Sequence, residues 1–341
     1  MQSSNLINPS ALVSQRVGVA GAGAWGVALA YCAYSAGREV SIWAREREVA
    51  DDLTAGRGNP TFLPNVALPR LQASPDISAL SECDAILAAP PAQHMRTTLR
   101  ALAPLIRPGT PVALCSKGIE IDSLKLMTQV LLEEIPHASP AVLSGPSFAR
   151  DVASGQPTAV TLACPDRSMG DMWMRSIGRP NFRMYWSDDL LGAEAGGAVK
   201  NVLAIACGVC EGLSLGRSAH AALIARGFAE MTRFGVALGA RSETLAGLCG
   251  LGDLILTCSS SSSRNMSFGM LLGQGRSCAS ILDERISVTE GVHTAPAVMR
   301  LAKSLGVDMP ICEMVDLLIR GDVTVDQAMD RLLNRPFREE C

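Results

Sequence analysis

The sequence predicts an α/β chain, with a doubly wound parallel sheet in its N-terminal part and an all-α C-terminal part. Three observations carry this. The first is a glycine turn, Gly21-Ala22-Gly23-Ala24-Trp25-Gly26, set between an apolar strand (Arg16 to Ala20) and a helical run (Val27 to Ala36), with a second strand (Val40 to Trp43) on schedule for a βαβ unit. The second is a series of short apolar runs, Ala85 to Ala89, Pro111 to Cys115, Ala141 to Leu143 and Ala159 to Ala163, that read as buried strands. The third is that strand signals stop near Leu190, where long segments rich in Ala, Leu and Gly take over.

The elements follow from local pattern. Gly37 stands where a helix-ending glycine belongs. Ser123 to Glu134 places Leu124, Met127, Val130 and Leu131 on one face and predicts a connecting helix. Ser187-Asp188-Asp189 marks the boundary, so residues 16–189 are expected to form a dinucleotide-binding, Rossmann-like domain. Residues 190–341 are expected to form a helical substrate-binding and catalytic domain, and residues 1–15 a flexible N-terminal extension. In the second domain, helical spacing predicts helices over Ala193 to Cys210, Ala219 to Leu238, Ser242 to Leu248, Met266 to Leu272, Thr294 to Leu305 and Ile311 to Arg320. Ser259 to Ser263 is the one low-complexity run and reads as a solvated, mobile loop.

A length of 341 residues exceeds what a single core normally serves, and 48% hydrophobic with 18% charged residues describes a globular chain with ample material for two cores. A net charge of −3 argues against a broad nucleic-acid surface. No uninterrupted apolar run approaches the roughly 18 to 20 residues that span a bilayer, and Met1 to Arg16 lacks an apolar signal core, so a cytoplasmic protein without stable membrane insertion is expected. Eleven cysteines with no framework spacing suit reduced, buried thiols. The pair Cys207 and Cys210 has no second ligand pair beside it, and His94, His137, His220 and His293 are dispersed, so no metal site is expected.

The residues that carry chemistry are sparse. Lys200 and Asn201 stand in Gly192-Ala193-Glu194-Ala195-Gly196-Gly197-Ala198-Val199-Lys200-Asn201, a run otherwise made almost entirely of small and apolar residues. Burial disfavours an ammonium and lowers its pKa, which turns a lysine into a proton donor and acceptor near neutral pH. In the glycine turn, Gly21, Gly23 and Gly26 let the backbone approach a pyrophosphate, and the helix start offers N–H groups to the anion. After the second strand, Arg45 is placed to meet the 2′-phosphate of NADP, while Glu46 pulls the other way, so both NAD and NADP stay open. Ser116-Lys117-Gly118 and Ser144-Gly145-Pro146-Ser147 lie at strand ends, where ligands bind open α/β sheets. Asp253, Thr257 and Ser263-Arg264-Asn265 follow a glycine-rich stretch, and an arginine with hydroxyl and amide neighbours suits a phosphoryl group.

Taken in order, these blocks resemble NAD(P)-dependent glycerol-3-phosphate dehydrogenase of the bacterial type: Gly21 to Gly26, Ser116-Lys117-Gly118, Leu143 to Ala149, Gly196 to Asn201, Gly250-Leu251-Gly252-Asp253-Leu254, Ser263-Arg264-Asn265 and Glu290-Gly291. The resemblance covers nearly the whole chain. It implies reversible reduction of dihydroxyacetone phosphate to sn-glycerol 3-phosphate, which supplies glycerophospholipid synthesis. It implies Lys200 as the proton acceptor and donor, with Lys117, Gly145, Ser147, Asn201, Asp253, Thr257, Ser263, Arg264 and Asn265 toward the substrate. Gly21, Gly23, Ala24, Trp25, Gly26, Arg45, Lys117, Ala149, Arg264, Val288 and Glu290 are implied toward the cofactor, NAD or NADP. A homodimer is the default expectation. The chain departs from the family's usual residues at Ser218, at Ala225 and at Pro90-Pro91-Ala92-Gln93, none of them in the blocks named above. Two alternatives stay open: another two-domain dehydrogenase, acting on β-hydroxyacids or ketopantoate, and a catalytically silent NAD(P)H-binding regulator.

Overall fold

The computed structural model describes residues 13–285 and 288–336. They divide into two compact units, the first comprising described residues 13–116 and 125–194, the second 117–124, 195–285 and 288–336.

The first unit is built on one eight-stranded sheet in the order β3-β2-β1-β4-β5-β6-β7-β8. Its strands are β1 (Arg16–Ala20), β2 (Glu39–Trp43), β3 (Gln72–Ser74), β4 (Ala85–Ala88), β5 (Pro111–Leu114), β6 (Ser139–Ser144), β7 (Thr158–Ala163) and β8 (Phe182–Ser187). All neighbours are parallel except β6 and β7. The chain winds outward from β1 to β3 and then returns to add β4 on the other side of β1. That reversal creates a crevice beyond the carboxyl ends of β1 and β4. Val17, Val19, Ile86, Leu87, Val112 and Leu114 are fully buried, the unbroken apolar runs of a sheet covered on both faces. The helices of this unit are α1 (Ala24–Ser35), α2 (Arg47–Ala55), α3 (Met95–Leu102), α4 (Met127–Glu134), α5 (Ala149–Ala153) and α6 (Arg167–Ile177).

The strands that periodicity missed are the two edges, β3 and β8. Edge strands are short or charged to discourage pairing with other chains, and so lack a core signature. β3 has three residues, and β8 alternates buried Phe182 with exposed Arg183 and Tyr185. The helix expected from Ser123 begins only at Met127, because Leu124 takes φ 59° and residues 117–124 pack with the second unit. Of the expected N-terminal extension, residues 1–12 lie outside the described residues, while Ser14 is buried and its N–H donates to Ser176 Oγ at 3.0 Å.

The long helix α7 (Leu190–Gly212) runs from the first unit into the second. By length and hydropathy it would pass for a membrane span, yet 83% of its apolar window is buried inside the protein, as in a core helix. The second unit continues with α8 (Arg217–Ala237), α9 (Ser242–Leu245), α10 (Asp253–Cys258), α11 (Arg264–Gly273), α12 (Cys278–Asp283), α13 (Glu290–Ser304), α14 (Pro310–Arg320) and α15 (Val325–Leu333). The single helix expected over Ser242 to Leu248 is instead α9, a π-turn over Leu248–Gly252, and then α10. Glu230 of α8 caps another helix, accepting the N–H groups of Ile311 and Cys312 at 2.7 and 3.2 Å where Pro310 opens α14.

Helices α7 and α11 meet along small residues. A Cβ on Gly208 would lie 2.1 Å from Met266 O, and one on Gly269 would lie 2.0 Å from Ile205 O, so the backbones touch where other residues would hold them apart. This seam fixes the separation of the helices that carry Lys200 and Arg264. Gly269→Ala is therefore expected to destabilise the protein by about 1–3 kcal/mol through overpacking, read as a lower urea midpoint; an unchanged midpoint would mean that the seam has slack.

Candidate functional site

Two polar constructions stand out, one in each unit. In the first unit the glycine turn lies at the carboxyl end of β1. Gly21 takes φ 114° and donates its N–H to Trp43 O at 3.0 Å, and a Cβ on it would press on Ala89 and Pro90 at 3.1 Å. A Cβ on Gly26 would sit 1.9 Å from Gly21 O, so the third glycine lets α1 start directly against the turn. Gly23, the N-terminal neighbour of α1, has open space where a Cβ would be. No side chain caps α1 and no acid lies in its first turn, which leaves the positive end of the helix for an anion. Trp25 Nε1 is enclosed and makes no hydrogen bond among the described residues. These features fit a dinucleotide pyrophosphate.

The remaining first-unit residues named from the sequence lie near strand ends. Ala24, Trp25 and Ala149 pack against the same core. Arg45, just beyond β2, is exposed and paired with Glu46 at 2.6 Å. Gly145 follows β6, and Ser147 Oγ donates to its carbonyl at 3.0 Å. Sequence reading missed Asn59, which is buried, donates to Ala22 O in the glycine turn at 2.9 Å, and accepts the N–H of Phe62 at 3.0 Å. It also gave no role to Glu194, whose buried carboxylate accepts Thr128 N–H at 2.8 Å and Thr128 Oγ1–H at 2.5 Å at the start of α4. Burial pushes Glu194 up to about 7 against the pull of those hydrogen bonds.

In the second unit, Asp253 receives two lysines on one carboxylate. Lys117 Nζ donates to Oδ2 at 2.5 Å and Lys200 Nζ donates to Oδ1 at 3.1 Å, while Lys200 also donates to Thr257 Oγ1 at 2.8 Å. Thr257 Oγ1 in turn donates to Asp253 Oδ1 at 3.2 Å, one helical turn along α10. The Lys200 side chain is 9% exposed and that of Asp253 is 2% exposed. Burial depresses Lys200 to about 8; Asp253 opposes that fall and the Lys117 charge adds to it. Burial works against ionisation of Asp253, but the two ammonium groups outweigh it and hold its carboxyl below the usual range. The first turn of α10 reaches Lys200 because Gly196, one turn earlier on α7, carries no Cβ: one there would lie 2.6 Å from Cys249 O. Lys117 groups with this unit, and its ammonium is tied to Asp253.

A buried amide relay supports the lysines. Asn201 Nδ2 reaches Lys117 O at 3.5 Å, Asn265 Nδ2 donates to Asn201 Oδ1 at 2.9 Å, and Gly291 N–H donates to Asn265 Oδ1 at 2.9 Å. Ser263 is buried and caps α11 by accepting Met266 N–H at 3.2 Å, and Arg264 follows it as an exposed first residue of that helix. The other serines of the run form an exposed or half-buried turn leading to this cap. Arg285, unremarked in the sequence, donates to Arg264 O at 2.8 Å and to Ser267 Oγ at 2.9 Å with its guanidinium over the Phe268 ring, so a second cation backs the first. Glu290 opens α13 and acts electrostatically on Arg264, and Val288 is half-buried just before it.

A mostly parallel sheet with a glycine turn at the carboxyl end of its first strand, followed by a helical second unit, is the architecture of a two-domain dinucleotide-dependent dehydrogenase. The comparisons name the kind. The family description "NAD-dependent glycerol-3-phosphate dehydrogenase N-terminus" matches residues 16–170 and its C-terminal counterpart matches residues 189–330, so the chain belongs to that family. It is 58% identical over 327 residues to glycerol-3-phosphate dehydrogenase [NAD(P)+] of Maricaulis maris, covering 96% of this chain and 98% of that protein. The crystal structure of glycerol-3-phosphate dehydrogenase from Coxiella burnetii superimposes with a TM-score of 0.90 at 36% identity, covering 94% of this chain and 99% of that one. A ketopantoate reductase from Ralstonia eutropha reaches a TM-score of 0.57 at 16% identity, covering 92% and 99%, which is a likeness of fold alone.

Asp253→Asn removes the anion between two ammonium groups, and breaking a buried pair in this way is expected to cost about 3–5 kcal/mol near pH 7. The sign with pH follows from Lys200: the unfolded chain holds that proton up to about 10.5 and the folded chain releases it near 8. The unfolded state therefore binds more protons in this window, and stability rises with pH across it. Urea denaturation should show a smaller loss for the variant at pH 9.5 than at pH 7; equal losses would contradict the shared-carboxylate description.

Proposed function

We propose that the chain catalyses the reversible, NAD(P)H-dependent reduction of dihydroxyacetone phosphate to sn-glycerol 3-phosphate, the glycerol backbone of glycerophospholipids. The observation that carries this reading is the buried Lys117–Asp253–Lys200 cluster in a chain that belongs to the family over both of its halves. The nicotinamide of the bound dinucleotide supplies or accepts the hydride. Gly21, Gly23, Ala24, Trp25 and Gly26 would hold the pyrophosphate, and Arg45, Ala149, Val288 and Glu290 would serve the rest of the cofactor.

As the ketone gains electron density on oxygen, Lys200 donates its proton to that oxygen, and Lys117 stabilises the developing charge. Two ammonium groups on one carboxylate leave one positive charge uncompensated, which suits an alkoxide better than a neutral carbonyl. Asp253 and Thr257 keep the Lys200 amine in place while it cycles between its protonated and neutral forms. Asn201 and Asn265 hold the backbone at Lys117. Arg264, with Ser263 before it, takes the remainder of the substrate. A guanidinium gripping the remote phosphate fixes the carbonyl for reaction, a positioning role of large effect.

The same reading takes residues 16–189 as the cofactor domain, apart from the Lys117 segment that groups with the helices, and 190–341 as the catalytic domain, in a cytoplasmic homodimer. A ketopantoate or β-hydroxyacid substrate is disfavoured because both halves of the chain match the glycerol-3-phosphate dehydrogenase family, whereas the ketopantoate reductase shares only the fold at 16% identity.

Activity with dihydroxyacetone phosphate, against none with dihydroxyacetone or ketopantoate, is the expected specificity, followed as NAD(P)H oxidation at 340 nm; equal activity with ketopantoate would overturn it. Oxidation of glycerol 3-phosphate needs neutral Lys200, so its kcat/KM should rise as pH passes through about 8, while the reductive rate falls over the same interval. A flat oxidative profile from pH 6.5 to 9.5 would remove Lys200 from the proton step. Lys200→Ala should abolish turnover while retaining NAD(P)H binding, and Arg264→Ala should raise the KM for the phosphorylated ketone about 10- to 100-fold.

A further inference from the structure

The pair that follows β2 has an unusual arrangement. Glu46 is the N-cap residue of α2, in extended conformation, yet its side chain caps no helical N–H. Instead its Oε1 accepts both Arg45 Nε at 2.9 Å and Arg45 Nη2 at 2.6 Å. The partners are neighbours in sequence and both open to solvent, with side-chain exposures of 72% and 41%. The pair stands at the carboxyl end of the strand whose Trp43 carbonyl accepts the Gly21 N–H, about 20 residues past the glycine turn, where this fold reads the adenosine ribose. An acid there accepts from a free 2′-hydroxyl and a cation there receives a 2′-phosphate; this chain offers one of each, bound to the other.

We propose that Glu46 sets the choice between NADPH and NADH by occupying Arg45. The inference rests on the dinucleotide reading of the first unit. A cofactor with an unmodified ribose leaves the Arg45–Glu46 pair intact and meets a neutralised surface. A 2′-phosphate competes with Glu46 for the same guanidinium N–H groups and also meets the Glu46 charge at short range. An exposed ion pair is weak, so the exchange costs little and NADPH is still accepted. The carboxylate thus reduces a preference that Arg45 alone would make strong, and both cofactors remain usable.

The test is the dissociation constant of NADPH and of NADH, measured by fluorescence on the full chain for the native protein, Glu46→Gln and Arg45→Gln. Glu46→Gln, which keeps shape and removes charge, should tighten NADPH about threefold to tenfold at low salt and move NADH by far less, with the gain shrinking as ionic strength rises. Arg45→Gln should weaken NADPH much more than NADH. If Arg45→Gln is selective while Glu46→Gln changes neither cofactor, the proposal fails and the ribose-site reading stands. If Arg45→Gln affects both equally or neither, the reading of the β2 end fails and takes the proposal with it.

Discussion

Everything distinctive about the second unit converges on one carboxylate that holds two lysines. Asp253 is almost completely enclosed, and an aspartate there would be costly without partners; Lys200 is nearly as deep and would be costly without Asp253. Neither charge is tenable alone, so the fold must deliver both together. It does so with a close approach at Gly196, where the backbone before α10 lies against α7, and with a π-turn that swings Asp253 into line. π-turns commonly mark functional sites because they place a side chain where a regular helix would not. The opposing effects leave Lys200 near 8, between an ordinary lysine and one that could never hold a proton. The proton role proposed for Lys200, given in one direction and taken in the other, calls for this compromise.

The first unit meets a different demand with the same economy. The dinucleotide proposed for it carries its own charge, and the turn supplies little more than backbone: a helix start left uncapped, a glycine with open space before it, and two glycines that let the turn fold tightly. Side chains act on the scaffold. Asn59 ties the glycine turn to its neighbouring loop, and Glu194 and Glu230 are acids spent on the N–H groups of helix starts elsewhere in the chain. Buried carboxylates of this kind substitute for local capping residues, and a sequence window cannot see them because donor and acceptor lie far apart in the chain.

That distance explains what the sequence could and could not convey. The glycine turn, the apolar central strands and the break near residue 190 are local patterns, and each was legible. Edge strands β3 and β8 were not, because a strand paired on one side need not be apolar. Lys200 announced itself as a charge in a run of small residues, but its partnership with Asp253, 53 positions away, depended on a turn with no periodic signature. Lys117 illustrates both sides: its motif was readable, yet its placement with the helical unit followed from an ion pair across 136 positions. Arg285 gave no sign at all, since only folding brings it under Arg264.

Lys200 titrates near 8 because it is buried beside a second ammonium and held in part by one aspartate. Carbon-13 NMR of the Lys200 Cε, assigned by comparison with Lys200→Arg and followed from pH 6 to 11 without substrate, measures this directly. A midpoint near 8 is the predicted result; a midpoint near 10.5, the ordinary lysine value, would show a solvated ammonium and contradict the description of the site on which the rest depends.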